Sequence, residues 1–133
     1  MTAFPEAAQE NDKDGDLPLH QAVANKLSVE VVNMLLLAYP DGSMGRNTSG
    51  KLPLHYVVKD VAVAEALTSN FSANATFLKD NEGMLPLHHV ANDSEASLGV
   101  VSALIASCRH SATTKDNNGR LPLHYAARQQ ESV

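Results

Sequence analysis

Tryptophan is absent from this chain, and three Phe and three Tyr are its whole aromatic content. A core must therefore come from Leu, Val and Ala packed closely rather than from large rings. Cysteine is nearly absent too. The one thiol, Cys108, has no partner for an intrachain disulfide, which favours a reducing compartment, cytoplasmic or nuclear. No apolar run approaches the ~20 residues that cross a bilayer; Val31 to Tyr39 is interrupted by Asn33, so no membrane insertion is expected. The opening Met-Thr-Ala-Phe-Pro-Glu carries an acid where a secretory leader has bases. Basic charge is scarce as well. The net charge is −5, and residues 1–16 hold −4 of it through Glu6, Glu10, Asp12, Asp14 and Asp16 against Lys13. A nearly neutral body with an acidic end has no footprint for nucleic acid.

What the chain does have is a repeat. Leu-Pro-Leu-His occurs four times, at Leu17–His20, Leu52–His55, Leu85–His88 and Leu121–His124, spaced by 35, 33 and 36 residues. Two positions before each copy stands glycine (Gly15, Gly50, Gly83, Gly119), and three before each glycine stands Asp12, Asn47, Asp80 or Asp116. Asp/Asn-x-x-Gly suits a tight turn, because the short polar side chain bonds nearby backbone and glycine accepts positive φ. Proline then fits the first position of a helix, where a missing N–H costs nothing.

The apolar spacing continues the helix. Leu19, Ala22 and Val23 stand at i, i+3 and i+4, as do Leu54, Val57 and Val58; Leu87, Val90 and Ala91; and Leu123, Ala126 and Ala127. A second helix follows in three copies, carried by Val31, Val32, Leu35 and Leu36, more weakly by Val63, Ala64, Leu67 and Thr68, and by Val100, Val101, Leu104 and Ile105. Helices this short are marginal alone, so the copies are expected to stack and cover one another's apolar stripes.

These residues resemble the ankyrin-repeat family, whose unit of about 33 residues is a turn and two helices with a T-P-L-H-x-A signature. The resemblance implies an all-α solenoid of stacked helix-turn-helix units with turn tips, about three and a half repeats: residues 12–46, 47–79 and 80–115, with a half repeat at 116–133. Leucine replaces the threonine before each proline, which removes the hydroxyl that caps the first helix. The distance from the repeat histidine to the second-helix valine also varies, at 11, 8 and 12 residues. Residues 1–11 are expected to be a tail or a partial cap, with Phe4, Ala7 and Ala8 over the first repeat. The half repeat is expected either to serve as the closing cap or to belong to a longer protein. The second repeat, with its alanine-rich Val61–Leu67 segment, is expected to be the least tightly packed.

Six histidines raise the question of a metal. Four belong to the repeat and recur one per unit. Stacked helices lie roughly 10 Å apart, whereas zinc ligands sit about 2 Å from one ion. The expected role is therefore a neutral ring that bonds loop backbone between units. His89, and Cys108 with His110, complete no four-ligand set and are read as surface or loop residues. Asp12-x-Asp14-x-Asp16 opens like a calcium loop, but the sixth and twelfth residues are Leu17 and Val23 instead of Gly and Glu. No metal, cofactor or small-molecule substrate is expected. Phosphate-loop and nucleophile-elbow patterns are missing, and Cys108 near a helix end reads as packing, so no enzyme is expected. A metal-dependent enzyme has only the histidine count in its favour.

The resemblance implies a protein partner bound on a concave surface of turn tips and first helices. Those positions are Lys13, Asp14 and Asp16; Thr48, Ser49 and Lys51; Asn81, Glu82 and Met84; Asn117, Asn118 and Arg120; and, on the helices, Asn25, Lys59, Asn92 and Arg128. Acids gather at the first tip and bases further along, which suits a partner with graded charge. Tyr56 and Tyr125, each one residue after a repeat histidine, are either anchors or packing between first helices. A structural role, as a fragment assembling into a larger protein or complex, is the alternative to a binding module.

Overall fold

The computed structural model describes residues 9–57, 59–68 and 75–131, and among these the fold is all-α, with no strand. Phe4, Ala7, Ala8 and Val58 lie outside the described residues. Among the described residues six α-helices occur in order: α1 (Pro18–Ala24), α2 (Val29–Ala38), α3 (Val61–Thr68), α4 (Pro86–Ala91), α5 (Leu98–Ser107) and α6 (Pro122–Glu131). Between them lie 3-10 turns, among them Pro40–Met44, Pro53–Tyr56 and Arg109–Thr113.

Each unit opens on the turn expected from Asp/Asn-x-x-Gly. The side-chain Oδ1 of Asp12 accepts the amides of Asp14 and Asp16, and Asn47, Asp80 and Asp116 repeat this pattern. The four glycines hold φ near +75°, the left-handed region that side chains disfavour. Proline follows at the first helical position, with extended leucine before it. Leucine has no side-chain acceptor, yet its own amide is not left bare. Leu17 N–H donates to Nδ1 of His20 at 2.9 Å, and Leu52, Leu85 and Leu121 do the same with His55, His88 and His124. The repeat histidine thus performs the backward-reaching half of a capping box.

The helices form two rows. In one, α1 lies against Pro53–Tyr56, which lies against α4, which lies against α6; in the other, α2 lies against α3 and α3 against α5. The core runs between them through Leu19, Val32, Leu54, Leu67, Leu87, Val100 and Leu104, all at most 3 % exposed. Each such leucine contributes roughly 2 kcal/mol of apolar burial, which is how helices of 6–10 residues persist.

Two expectations are corrected here. The first segment of the second unit is one 3-10 turn, Pro53–Tyr56, after which Val57 is already extended (φ −71°, ψ 131°). With only 8 residues from His55 to Val63, the chain must leave early, and β-branched valine resists helix. The second unit is also not the looser one by burial. Val63, Ala64 and Leu67 of α3 are at most 3 % exposed, whereas in α2 only Val32 is buried. Within its row α3 is covered on both sides, by α2 and α5, while α2 has one described helical neighbour there, α3. The apolar stripe of α6 differs from its counterparts too: Leu123 is 73 % exposed where Leu19, Leu54 and Leu87 are buried.

Candidate interaction surface

The tips are joined by a backbone ladder. Thr48 N–H donates to the carbonyl of Asp14 at 3.1 Å, Asn81 N–H to Ser49 at 3.0 Å and Asn117 N–H to Glu82 at 3.1 Å. Side chains double the rungs: Thr48 Oγ1 donates to Asp14 O, Asn81 Nδ2 to Thr48 O and Asn117 Nδ2 to Asn81 O. Thr48, Asn81 and Asn117, foreseen as contact residues, therefore also hold neighbouring units together.

A second row of bonds lies behind the tips. His20 Nε2 reaches the carbonyl of Lys51 at 2.9 Å, His55 that of Met84 at 3.1 Å, and His88 that of Arg120 at 3.0 Å. Because Nδ1 of each ring accepts an amide, the proton must sit on Nε2, so each is a neutral ring donating to the next unit. Burial pushes His55 down to about 4, with His89 adding to the effect, and burial also lowers His88.

The residue after each repeat histidine returns to its own turn. Gln21 donates to Asp12 Oδ2 at 2.6 Å, His89 Nε2 to Asp80 Oδ2 at 2.8 Å, and Tyr125 OH to Asp116 Oδ2. At Tyr56 the direction reverses, with Asn47 Nδ2 donating to the phenol oxygen at 2.8 Å. Burial opposes the charge on Asp80 and Asp116, but these donors and the turn amides outweigh it and hold both carboxyls below their usual range. Each histidine also meets the ring one unit on: His20 with Tyr56, His55 with His89 and His88 with Tyr125, edge to face.

This arrangement sorts the foreseen site residues. Lys13, Asp14, Ser49, Glu82 and Asn118 at the tips are exposed, as are Arg120 and the helix positions Asn25, Lys59, Asn92 and Arg128; Asp16, Lys51 and Tyr56 are half-buried. Met84 does not belong with them. At 8 % exposure it is buried: its carbonyl meets His55 as those of Lys51 and Arg120 meet His20 and His88, but its side chain is apolar where theirs are charged. Tyr125, at 5 %, is likewise packing and not a presented anchor, its hydroxyl being committed to Asp116. His89 was expected at the surface and is instead half-buried on Asp80, because its position in the repeat points back to the turn.

Lys51, Tyr56 and Asn92 line an open polar groove of about 520 Å³ with His55 and His89. Lys26, Asp93 and His89 in its lining were not foreseen; of these only His89 had a readable signal, the polar residue that recurs after each repeat histidine. Lys26 and Lys59 both reach Glu95, at 3.0 and 3.6 Å, which leaves Lys51 as the groove cation outside these pairs. Lys51 stands over the Tyr56 ring at 5.4 Å, and Arg120 and Arg128 flank Tyr125. The carboxylates of Asp12, Asp14 and Asp16 lie within 4.8 Å of one another. Asp12 spends both oxygens on Asp14, Asp16 and Gln21, so the cluster already has a turn-forming role.

No protein-family model matches this chain, and no curated protein matches it. None of the described helices is long and apolar enough to cross a membrane.

Proposed function

We propose that this chain is a non-catalytic protein-binding module, a divergent ankyrin-type stack of about three and a half repeats. Its partner docks on the side lined by turn tips and first helices. The observation that carries the reading is the ladder with the histidine row behind it. Together they fix four polar tips in register and leave Lys13, Ser49, Glu82 and Asn118 exposed. A rigid, preorganised polar surface loses little entropy on binding. Both ring nitrogens of His20, His55 and His88 are spent on backbone groups, which argues for scaffold chemistry over catalysis at these three rings. The lone Cys108 fits a cytoplasmic or nuclear setting.

A pull-down from the native source, with mass-spectrometric identification, tests this against a variant reversed at Lys51, Lys59 and Arg128. A specific protein recovered by the parent chain and lost by the variant is the expected result. Equal recovery by both removes the surface assignment. A second reading, that the chain chiefly assembles into a larger body, is favoured by one observation: the uncovered Leu123 edge of the last unit.

A further inference from the structure

Three units close one internal bond, and the second unit reverses it. Gln21 donates to Asp12, His89 to Asp80 and Tyr125 to Asp116, each from the position after the repeat histidine to the turn of its own unit. In the second unit the turn residue is Asn47. Its Oδ1 accepts the amides of Ser49 and Lys51, so its NH2 group faces the other way. One hydrogen goes to the phenol oxygen of Tyr56 and the other to Asp16 Oδ1, both at 2.8 Å. The hydroxyl proton of Tyr125 is held by a carboxylate, whereas that of Tyr56 meets no acceptor among the described residues.

Tyr56 lines the polar groove of about 520 Å³, and two further groups there have bonding capacity to spare. Lys51 stands 5.4 Å from the Tyr56 ring centre and enters no ion pair among the described residues. The acids nearby act on other lysines: Glu95 on Lys26 and Lys59, Asp93 on Lys26. His89 donates Nε2–H to Asp80, which leaves Nδ1 as a lone-pair acceptor. No buried side-chain nitrogen or oxygen among the described residues lacks a partner, so Nδ1, which has none, opens to solvent at the groove. Two donors, one of them charged, thus share a lining with one acceptor. All three belong to the second and third units, away from either edge of the stack.

We propose, building on the binding-module reading, that this groove takes an acidic residue of a protein partner. Its carboxylate lies on Lys51 and the Tyr56 hydroxyl, and a backbone N–H of the same segment lies on His89 Nδ1. A carboxylate has two oxygens for two donors, and one charge for one ammonium outside any ion pair. A phosphate monoester carries up to two charges and is best met by an arginine cluster, and no arginine lines the groove. A free anion brings no N–H for His89, whereas a peptide has one at every residue but proline. Charge agrees. The lining holds Lys26 and Lys51 against Asp93 in a chain of net charge −5, so an acidic segment is steered here rather than to the acidic first tip.

Amide NMR shifts of the full chain, titrated with an end-capped hexaglutamate peptide, test this. Saturable shifts centred on Lys51, Tyr56 and His89 are the expected result. Lys51→Met, Tyr56→Phe and His89→Tyr each remove one polar group from the groove and are expected to weaken binding about fivefold or more. His89→Tyr keeps a donor for Asp80, as Tyr125 donates to Asp116, so the turn persists. Lys115→Met, an equal loss of charge outside the groove, is expected to change the affinity less than about twofold. Circular dichroism checks that each variant stays helical, and Lys51→Met against Lys115→Met decides should a ring variant unfold. Absence of saturation, shifts centred elsewhere, or equal weakening by Lys115→Met overturns the proposal. So does inorganic phosphate binding there as tightly as the peptide. A pull-down partner that hexaglutamate fails to displace overturns this site and leaves the binding module standing. Failure of the module itself shows separately, as no partner recovered by the parent chain.

Discussion

Leu52 and His55 settle each other's chemistry: the Leu52 amide donates to His55 Nδ1 at 2.9 Å, which fixes the ring as the Nε2–H tautomer that holds Met84 O at 3.1 Å. A second proton has nowhere to go but Nδ1, where the amide already points. Protonation therefore breaks the bond at the helix start, while Nε2–H goes on donating to Met84 O.

Acid is accordingly expected to loosen the stack. An ordinary histidine titrates near 6.5, and His55 in the folded chain near 4. The folded value is depressed, so its contribution is present above pH 6.5 and is lost as pH falls from 6.5 towards 4, where the unfolded chain binds a proton that the folded chain refuses. That span corresponds to roughly 3 kcal/mol, because each unit of pKa is about 1.4 kcal/mol. His88 is depressed too and adds in the same direction. Urea midpoints measured between pH 7.5 and 4 are expected to fall steadily. In His55→Gln they are expected to start lower and fall less.

The four turn glycines are not equivalent. All need positive φ, so alanine costs about 1–2 kcal/mol at any of them. At Gly83 the new Cβ also stands 2.3 Å from Asn117 Oδ1 and 2.8 Å from its backbone nitrogen, atoms fixed by the ladder. Gly83→Ala is expected to lose more stability than Gly119→Ala, by thermal or chemical unfolding. Equal losses at the two sites count against the ladder as the joint between units.

Much of this architecture was legible in the residues. The turn and the helix start at Pro18, Pro86 and Pro122 follow from local rules that need no tertiary partner. The joint was only half legible: a neutral histidine on loop backbone was expected, but its second bond to the leucine amide was not. Where local reading failed, a neighbour decided. Val57 continued a helical spacing, yet the short path to α3 pulled it out of helix. Met84 takes the same place in its unit as Lys51 and Arg120, and its apolar side chain is buried where their charged ones are not. Whether a stripe is covered depends on what stands beside it, and for that reason Leu123 and Leu19 share a pattern and differ in exposure.

Position in the row also sets local stability. α3 is covered on both sides and α2 has one described helical neighbour in its row, so amides of residues 61–67 are expected to exchange more slowly than those of 29–38. The same contrast governs truncation. Leu67→Ala, at a fully buried site, is expected to cost about 2–5 kcal/mol. Leu37→Ala, at a site 84 % exposed, is expected to stay within about 0.5 kcal/mol of the parent. Similar losses at the two leucines contradict the layering.

Tyr125 offers the sharpest separation of packing from presentation. Its hydroxyl donates to Asp116 Oδ2, while Asp116 Oδ1 holds the amides of Asn118 and Arg120 that shape the last tip. Tyr125→Phe keeps the ring against His88 and removes only that donor. Leaving a buried carboxylate oxygen unpaired costs about 1–3 kcal/mol, so a loss of that size is expected in urea unfolding at neutral pH. The hydroxyl bond is among the causes that hold the Asp116 carboxyl low, so its pKa is expected to rise in the variant. A carboxyl with a depressed folded pKa contributes stability above its unfolded value and loses it as pH falls through the folded one. The phenylalanine variant should therefore lose less than the parent between neutral and acid pH, and the two unfolding curves should converge. A variant with parental stability and an unmoved Asp116 resonance in a pH titration by NMR would return Tyr125 to the role of a presented side chain.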